Sequence, residues 1–198
     1  KKAFLASLVA LVLCFAMLLG TTYAWFTDSV SSANNIIQSG NLDVELYWSK
    51  DATNWEKVDE NTNVFSGELW EPGCVEVVYL KVANEGSLAL KYKLGVNVES
   101  EIQGKNAAGQ FFKLSDYIEF DVIEDVNTAY KDRSEAILAA KNGKAISAGY
   151  SKVNDLENKG DTDYLAMVVY MPTTVGNKTN HDGINVPSIN LGINLVAT

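Results

Sequence analysis

Hydrophobic and polar residues alternate along most of this chain with a period of two, the spacing that puts one face of a strand on a core and the other in water. Leu42, Val44 and Leu46 fall on one side of a segment whose other side carries Asp43, Glu45 and Tyr47. The run Leu88, Leu90, Tyr92, Leu94, Val96, Val98 is the most regular, with Lys91, Lys93 and Asn97 interleaved, and it predicts a long strand. Weaker alternation over 75–83 and 117–123, and a clear one through Ile189, Leu191, Ile193, Leu195 and Ala197, predict three more. Residues 164–171 are apolar on both faces, which predicts a central strand. Turn-forming clusters at 51–54, 72–73, 84–87, 104–109 and 176–183 separate these runs, and Asn84-Glu85-Gly86-Ser87 reads as a tight hairpin link. One segment breaks the pattern. Asp132 can cap a helix with Glu135 three residues on, Ala136 to Ala140 continue it, and Gly143 marks its stop, with Lys141 and Lys144 near the negative end of its dipole. Strands in this order, with a helix only as an excursion, imply an all-β fold, an antiparallel β-sandwich with a short inserted helix.

The start of the chain is of another kind. Lys1 and Lys2 precede an apolar run over 3–19, and small residues Thr22 and Ala24 stand three and one residues before Trp25. This is the layout of an N-terminal signal helix, so 1–24 reads as a signal peptide cut between Ala24 and Trp25. The competing reading is a retained anchor, but the run is shorter than the ~18 residues of a membrane span and no basic stop-transfer cluster follows. A lipid anchor does not fit, because Cys14 follows Leu13 in the middle of the run. A pilin-type cut does not fit either, since no Gly-Phe junction follows Lys2. The expected mature chain, 25–198, is a single domain outside the cytosol, touching a membrane only through an uncleaved signal segment.

Charge and cysteine content narrow the partners. The chain carries a formal charge of −9, and removing 1–24 takes away two lysines and no acid, leaving −11. Such a balance repels nucleic-acid phosphates and anionic lipid, so neither is expected as a partner. An apolar content of 47% argues for a packed core rather than disorder. Of Cys14 and Cys74 only the second survives the cut, so packing must hold the core without an internal disulfide. Cys74, following Trp70-Glu71-Pro72-Gly73, reads as a partly buried small hydrophobe; a reactive thiol or an intermolecular link is the alternative. Low cysteine usage in an exported chain suits a bacterium.

Catalytic patterns are sparse, and no enzyme activity or cofactor is expected. The single histidine, His181, sits in Asn180-His181-Asp182-Gly183, a turn sequence. No His-Glu-x-x-His pair is present to hold zinc, and no Gly-x-Ser-x-Gly elbow is present to raise a nucleophile. Asp155, Glu157, Asp161 and Asp163 are close enough to share a calcium-binding loop, but they do not follow the twelve-residue EF-hand pattern, and a solvated acidic loop is the competing reading.

The residues Thr22-Tyr23-Ala24-Trp25-Phe26-Thr27-Asp28, with Ser39-Gly40-Asn41-Leu42-Asp43 entering the first strand, resemble the amino-terminal signature of the TasA/camelysin family, exported Gram-positive proteins processed by a SipW-type signal peptidase. Glu71-Pro72-Gly73 and Val82-Ala83-Asn84-Glu85-Gly86-Ser87 also resemble that family. The likeness covers 20–47 best, extends to about residue 98, is thin over 100–163, and returns in the last strand. It implies a jelly-roll-like sandwich with a variable insertion over 100–163, and a secreted role in the biofilm matrix or at the cell surface. It further implies self-association into fibres by donor-strand complementation. The donor would lie within 25–40, with Trp25, Phe26, Val30, Ile36 and Ile37 as anchors; an ordinary edge strand folding back on its own domain is the competing reading. Two other functions follow from the same material: a monomeric surface-binding or accessory module, and a metal-dependent peptidase of the camelysin kind.

Overall fold

The computed structural model describes residues 40–59, 62–65 and 70–197, together with Lys2 and Leu11. The chain divides into two units, 1–39 and 40–198. Of the first, Lys2 and Leu11 are helical.

The second unit is built from antiparallel sheets. In chain order its elements are β1 (Val44–Ser49), β2 (Glu56–Lys57), β3 (Val75–Asn84), β4 (Leu90–Ile102), β5 (Gly104–Lys105), β6 (Phe111–Phe112), β7 (Glu119–Glu124), α1 (Arg133–Ala139), β8 (Lys144–Ala145), β9 (Tyr150–Leu156), β10 (Thr162–Tyr170) and β11 (Ser188–Ala197). Short 3-10 helices cover Leu114–Asp116, Ile146–Ala148 and Thr173–Thr179. A six-stranded sheet runs β2-β1-β3-β10-β7-β8, a three-stranded sheet runs β11-β4-β9, and β5 and β6 form a small ribbon. As its double-sided apolar pattern predicts, β10 is central.

Both larger sheets contribute to one core. Val78, Leu80 and Val82 of β3, Leu165, Met167 and Val169 of β10, and Phe120 of β7 meet Leu90, Tyr92, Leu94 and Val96 of β4. The long run on β4 therefore does what its spacing predicts, with Lys91, Lys93 and Asn97 exposed. Fully burying one of these aliphatic or aromatic side chains contributes about 1.5–3 kcal/mol. A smaller cluster on the outer face of the six-stranded sheet packs Val168 against Ala136 in the middle of α1 and Ala140 at its C-cap.

Two readings need correction. Residues 84–87 do not link a hairpin: β3 pairs with β1 and β10 while β4 pairs with β11 and β9, so the segment carries the chain from one sheet to the other. Asn84, fully buried, organises the crossing, donating from Nδ2 to Leu88 O at 2.9 Å and accepting from Gly86 N–H at 3.0 Å. Gly86 is required there because a Cβ would stand 2.6 Å from Asn41 O. Alternation cannot distinguish the two, since a turn within one sheet and a step between sheets follow the same residue pattern. Residues 100–163, where a variable insertion is expected, supply β7 to one sheet and β9 to the other, with α1 between them. Secondly, the helix ends at Ala139 with Ala140 as its C-cap, before Gly143. The glycine serves a close approach instead: a Cβ on it would lie 2.1 Å from the Tyr170 hydroxyl. The predicted N-terminus of the helix is as expected, Asp132 accepting from Glu135 N–H at 2.9 Å and Glu135 from Lys131 N–H at 2.6 Å.

Candidate functional site

The acidic and nucleophilic side chains singled out above are held apart by their elements. Asp155 on β9 pairs with Lys91 at 3.4 Å. Asp161 accepts from Asn158 N–H at 2.8 Å and so closes its own turn. Asp163 faces the core and accepts the Tyr92 hydroxyl at 2.6 Å, while Glu157 stays exposed. Among the described residues no group of three His, Cys, Asp or Glu side chains is placed to hold a metal ion. His181 forms an isolated bridge to Asn106, and its Nδ1 accepts from Gly183 N–H at 3.0 Å, which leaves Nε2 as the protonated nitrogen of the neutral ring. Cys74 is half-buried, and Glu71 N–H approaches its sulfur at 3.5 Å. The signal junction residues Thr22, Ala24 and Trp25 lie outside the described residues, as do Phe26, Val30, Ile36 and Ile37.

What the fold does create is two unlike flanks, where strand edges of the larger sheets leave the core partly uncovered. On one flank β8 pairs only with Glu119 and Phe120, so 121–124 of β7 have no strand partner on that side among the described residues. A cleft of about 290 Å³ opens there, lined by Asp121, Glu124, Asn142, Tyr150 and Lys152 among others. Its chemistry is polar. Glu124 pairs with Lys152, which holds its carboxyl below the usual range, and Asn154 donates to Glu124 at 3.2 Å and to the Tyr92 hydroxyl at 3.2 Å. Tyr92 is pushed up first by burial and then by its bond to Asp163. Tyr150 is pushed up to about 12, again by burial, with Glu124 and Asp121 adding to it. This chain of contacts joins β7 and β10 of one sheet to β4 and β9 of the other.

The opposite flank is apolar. β11 is the edge strand of its sheet, and no strand pairs with its outer side among the described residues. Its register on β4 sets Leu191 opposite Val98, Ile193 opposite Val96 and Leu195 opposite Leu94. The β4 partners Val96 and Leu94 are sealed, yet Ile189, Leu191, Ile193 and Leu195 are only partly buried, and no strand covers the far side of β11 among the described residues. Across from them, Val44 and Trp48 of β1 are also only partly buried, with Val58, Phe65 and Trp70 beside the same core. The two-residue β2 pairs with Tyr47 and Trp48, leaving Val44 and Glu45 without a strand partner on that edge among the described residues. The indole Nε1 of Trp48 is buried and has no hydrogen-bond partner among the described residues. An edge with a half-covered apolar row and an open ladder can take one more strand, whose backbone completes the ladder and whose alternate side chains fill the row.

Sequence alternation located the inner row of β11 but not its exposure, because a period of two marks a face and says nothing of which strand lies at an edge.

No protein-family model matches the chain, and a search of the curated proteins finds no match. Among the described residues no helix is long and apolar enough to cross a membrane.

Proposed function

We propose that this is a secreted structural protein of a Gram-positive cell surface or biofilm matrix, a jelly-roll-like β-sandwich that self-associates by strand addition. The observation that carries the proposal is the apolar flank at β11, a ten-residue edge strand whose inner aliphatic row is only half covered. The resemblance of the signal junction to the TasA/camelysin family supplies the donor: residues 25–40, with Trp25, Phe26, Val30, Ile36 and Ile37 as apolar anchors. Those side-chain types complement an aliphatic slot, and cleavage after Ala24 by a SipW-like peptidase would free them. The chain leads into β1 through 40–43, where Asn41 N–H donates to Ser87 Oγ at 3.0 Å and Ser87 N–H to Asn41 O at 3.0 Å, so the entry to β1 is fixed beside the sheet crossing.

The test compares protein starting at Trp25 with protein starting at Asn41 by electron microscopy. Fibres from the longer form and none from the shorter are expected; equal behaviour of the two removes the donor role.

A second reading, a monomeric surface-binding module, draws on one feature. On the outer face of the six-stranded sheet Lys81 Nζ lies 4.2 Å over the Tyr47 ring and 5.5 Å over Trp55, and Trp55 stands 5.6 Å from Tyr164. Half-buried aromatics around a cation can stack on a sugar face, and retention of a strictly monomeric protein on a polysaccharide column would favour this module. The peptidase alternative finds no metal-ligating group to rest on among the described residues.

A further inference from the structure

The loops at the β5–β6 end of the domain combine exposed apolar side chains with neighbouring lysines. They are tied together firmly. β5 lies between β6 and the segment 182–187: Lys105 pairs with Phe111, Asp182 N–H donates to Lys105 O at 2.8 Å, and Lys105 N–H donates to Asn185 O at 3.3 Å. Asn106, buried, accepts from Ala108 N–H at 3.1 Å and Gln110 N–H at 2.9 Å while donating to Lys178 O at 3.3 Å. The Asp182 carboxylate accepts from Ile184 N–H at 2.9 Å and Asn185 N–H at 2.8 Å. These bonds hold its pKa down at about 2, the Asn185 backbone contributing most. The place where a Gly104 Cβ would stand touches both Phe112 and Pro187 at 2.9 Å, so the two loops pack directly on the ribbon.

On this frame four large apolar side chains face water: Ile184 is 85% exposed, Phe111 65%, Ile102 63% and Val186 46%. Nothing in folding explains them, since none contributes to the core. Lys105, Lys113 and Lys178 lie in these loops with Asp182, while Glu101, next to Ile102, is turned to Ser115, accepting from its N–H and hydroxyl at 2.8 Å. Lys105 Nζ sits 5.5 Å over the Phe111 ring, which places a cation beside the apolar group.

We propose that this end of the domain docks on an anionic lipid bilayer, with Ile184 and Phe111 entering the headgroup boundary and the lysines meeting lipid phosphates. Apolar side chains at rigid loop tips with basic neighbours are the composition that an interfacial site needs. A soluble polyanion would use the lysines and leave the aliphatics in water. The acidic remainder of the chain opposes approach only within a Debye length, about 8 Å at physiological salt, so the charge nearest the surface governs docking. Each lysine at such a surface strengthens binding about fivefold. The inference stands on these loops alone and is independent of strand addition at β11.

Hydrogen exchange of the full chain, with and without vesicles, tests it. The apolar segment at 3–19 can itself bring the chain to any vesicle, so the readout is local protection and not overall binding. Amides in 107–111 and 182–186 are expected to slow by about fivefold or more on phosphatidylglycerol-containing vesicles, in line with the contribution of even one lysine, and not on pure phosphatidylcholine. High salt should reverse the effect. Ile184→Ser combined with Phe111→Ser should abolish the protection, whereas Val153→Ser on β9 should leave it unchanged. Equal protection on both lipids, or none, overturns the proposal. Protection that is present without lipid and grows with protein concentration overturns it too, by identifying a second copy as the occupant.

Discussion

Replacing Tyr92 with phenylalanine tests the polar chain that joins the two larger sheets, because the ring stays and only the hydroxyl leaves. Tyr92 is 1% exposed. Its hydroxyl donates to Asp163 Oδ2 at 2.6 Å and accepts from Asn154 Nδ2 at 3.2 Å. A hydrogen bond to a charged group contributes about 1.5–3 kcal/mol, and a neutral one about 1 kcal/mol. Asn154 retains Glu124 Oε1 at 3.2 Å, so most of the neutral bond is recovered and the loss of the charged one dominates. The expected cost is about 2 kcal/mol, which a domain with 5–15 kcal/mol of stability survives, lowering Tm by roughly 4–8 °C. Urea unfolding followed by circular dichroism measures it, with an unchanged m-value showing that the folded state is intact. Asp163→Ala in both backgrounds closes a double-mutant cycle, for which a coupling of about 1–2 kcal/mol is expected. A cost for Tyr92→Phe below about 0.5 kcal/mol, or additive effects in the cycle, would refute the account of this contact.

Ile193→Asp on the half-covered face of β11 should stop fibre growth seen by electron microscopy, while Val196→Asp on its exposed outer face should permit it; fibres from both would separate assembly from this edge. Alkaline pH should unfold the protein in a defined window. Burial raises Tyr79, Tyr92, Tyr130, Tyr150 and Tyr170, with Tyr150 and Tyr170 at about 12. These phenols stay protonated in the folded state after the unfolded chain begins to lose its protons near pH 10, so their stabilising effect is complete below pH 10 and lost as pH rises through 12. Phenolate absorbance should therefore rise together with loss of near-ultraviolet dichroism, and ionisation of all tyrosines near pH 10 with native dichroism retained would contradict it. Gly143→Ala should cost about 1–3 kcal/mol in urea unfolding, since the new methyl group displaces a Tyr170 hydroxyl that donates to Glu119 at 2.8 Å. Asp132→Ala removes the cap at Glu135 N–H and should cost about 1 kcal/mol. Faster hydrogen exchange confined to α1 is its expected signature, because that helix buries only Ala136 within its span.

The strands were legible because each rests on a local rule. Period-two alternation on β4 and β11, double-sided apolarity on β10, and a capping pair at Asp132 and Glu135 depend on neighbours within a few residues, and the structure keeps all of them. Acidic composition and the scarcity of histidine and cysteine likewise come from residue types alone. Partner choice, by contrast, is non-local. That Asn84 to Ser87 carries the chain between sheets, and that Gly143 yields to Tyr170 rather than ending a helix, depends on groups far along the chain. The same holds for two of the carboxylates at 155–163: Asp155 and Asp163 share a stretch of sequence yet meet Lys91 and Tyr92 of the distant strand β4. Exposure is the clearest case: Ile193 and Leu94 look alike in an alternating strand, and only the order β11-β4-β9 makes one an open edge and the other a sealed core residue. Local chemistry thus determined which segments are strands, and the packing of distant segments decided which of them are left with an unfilled side.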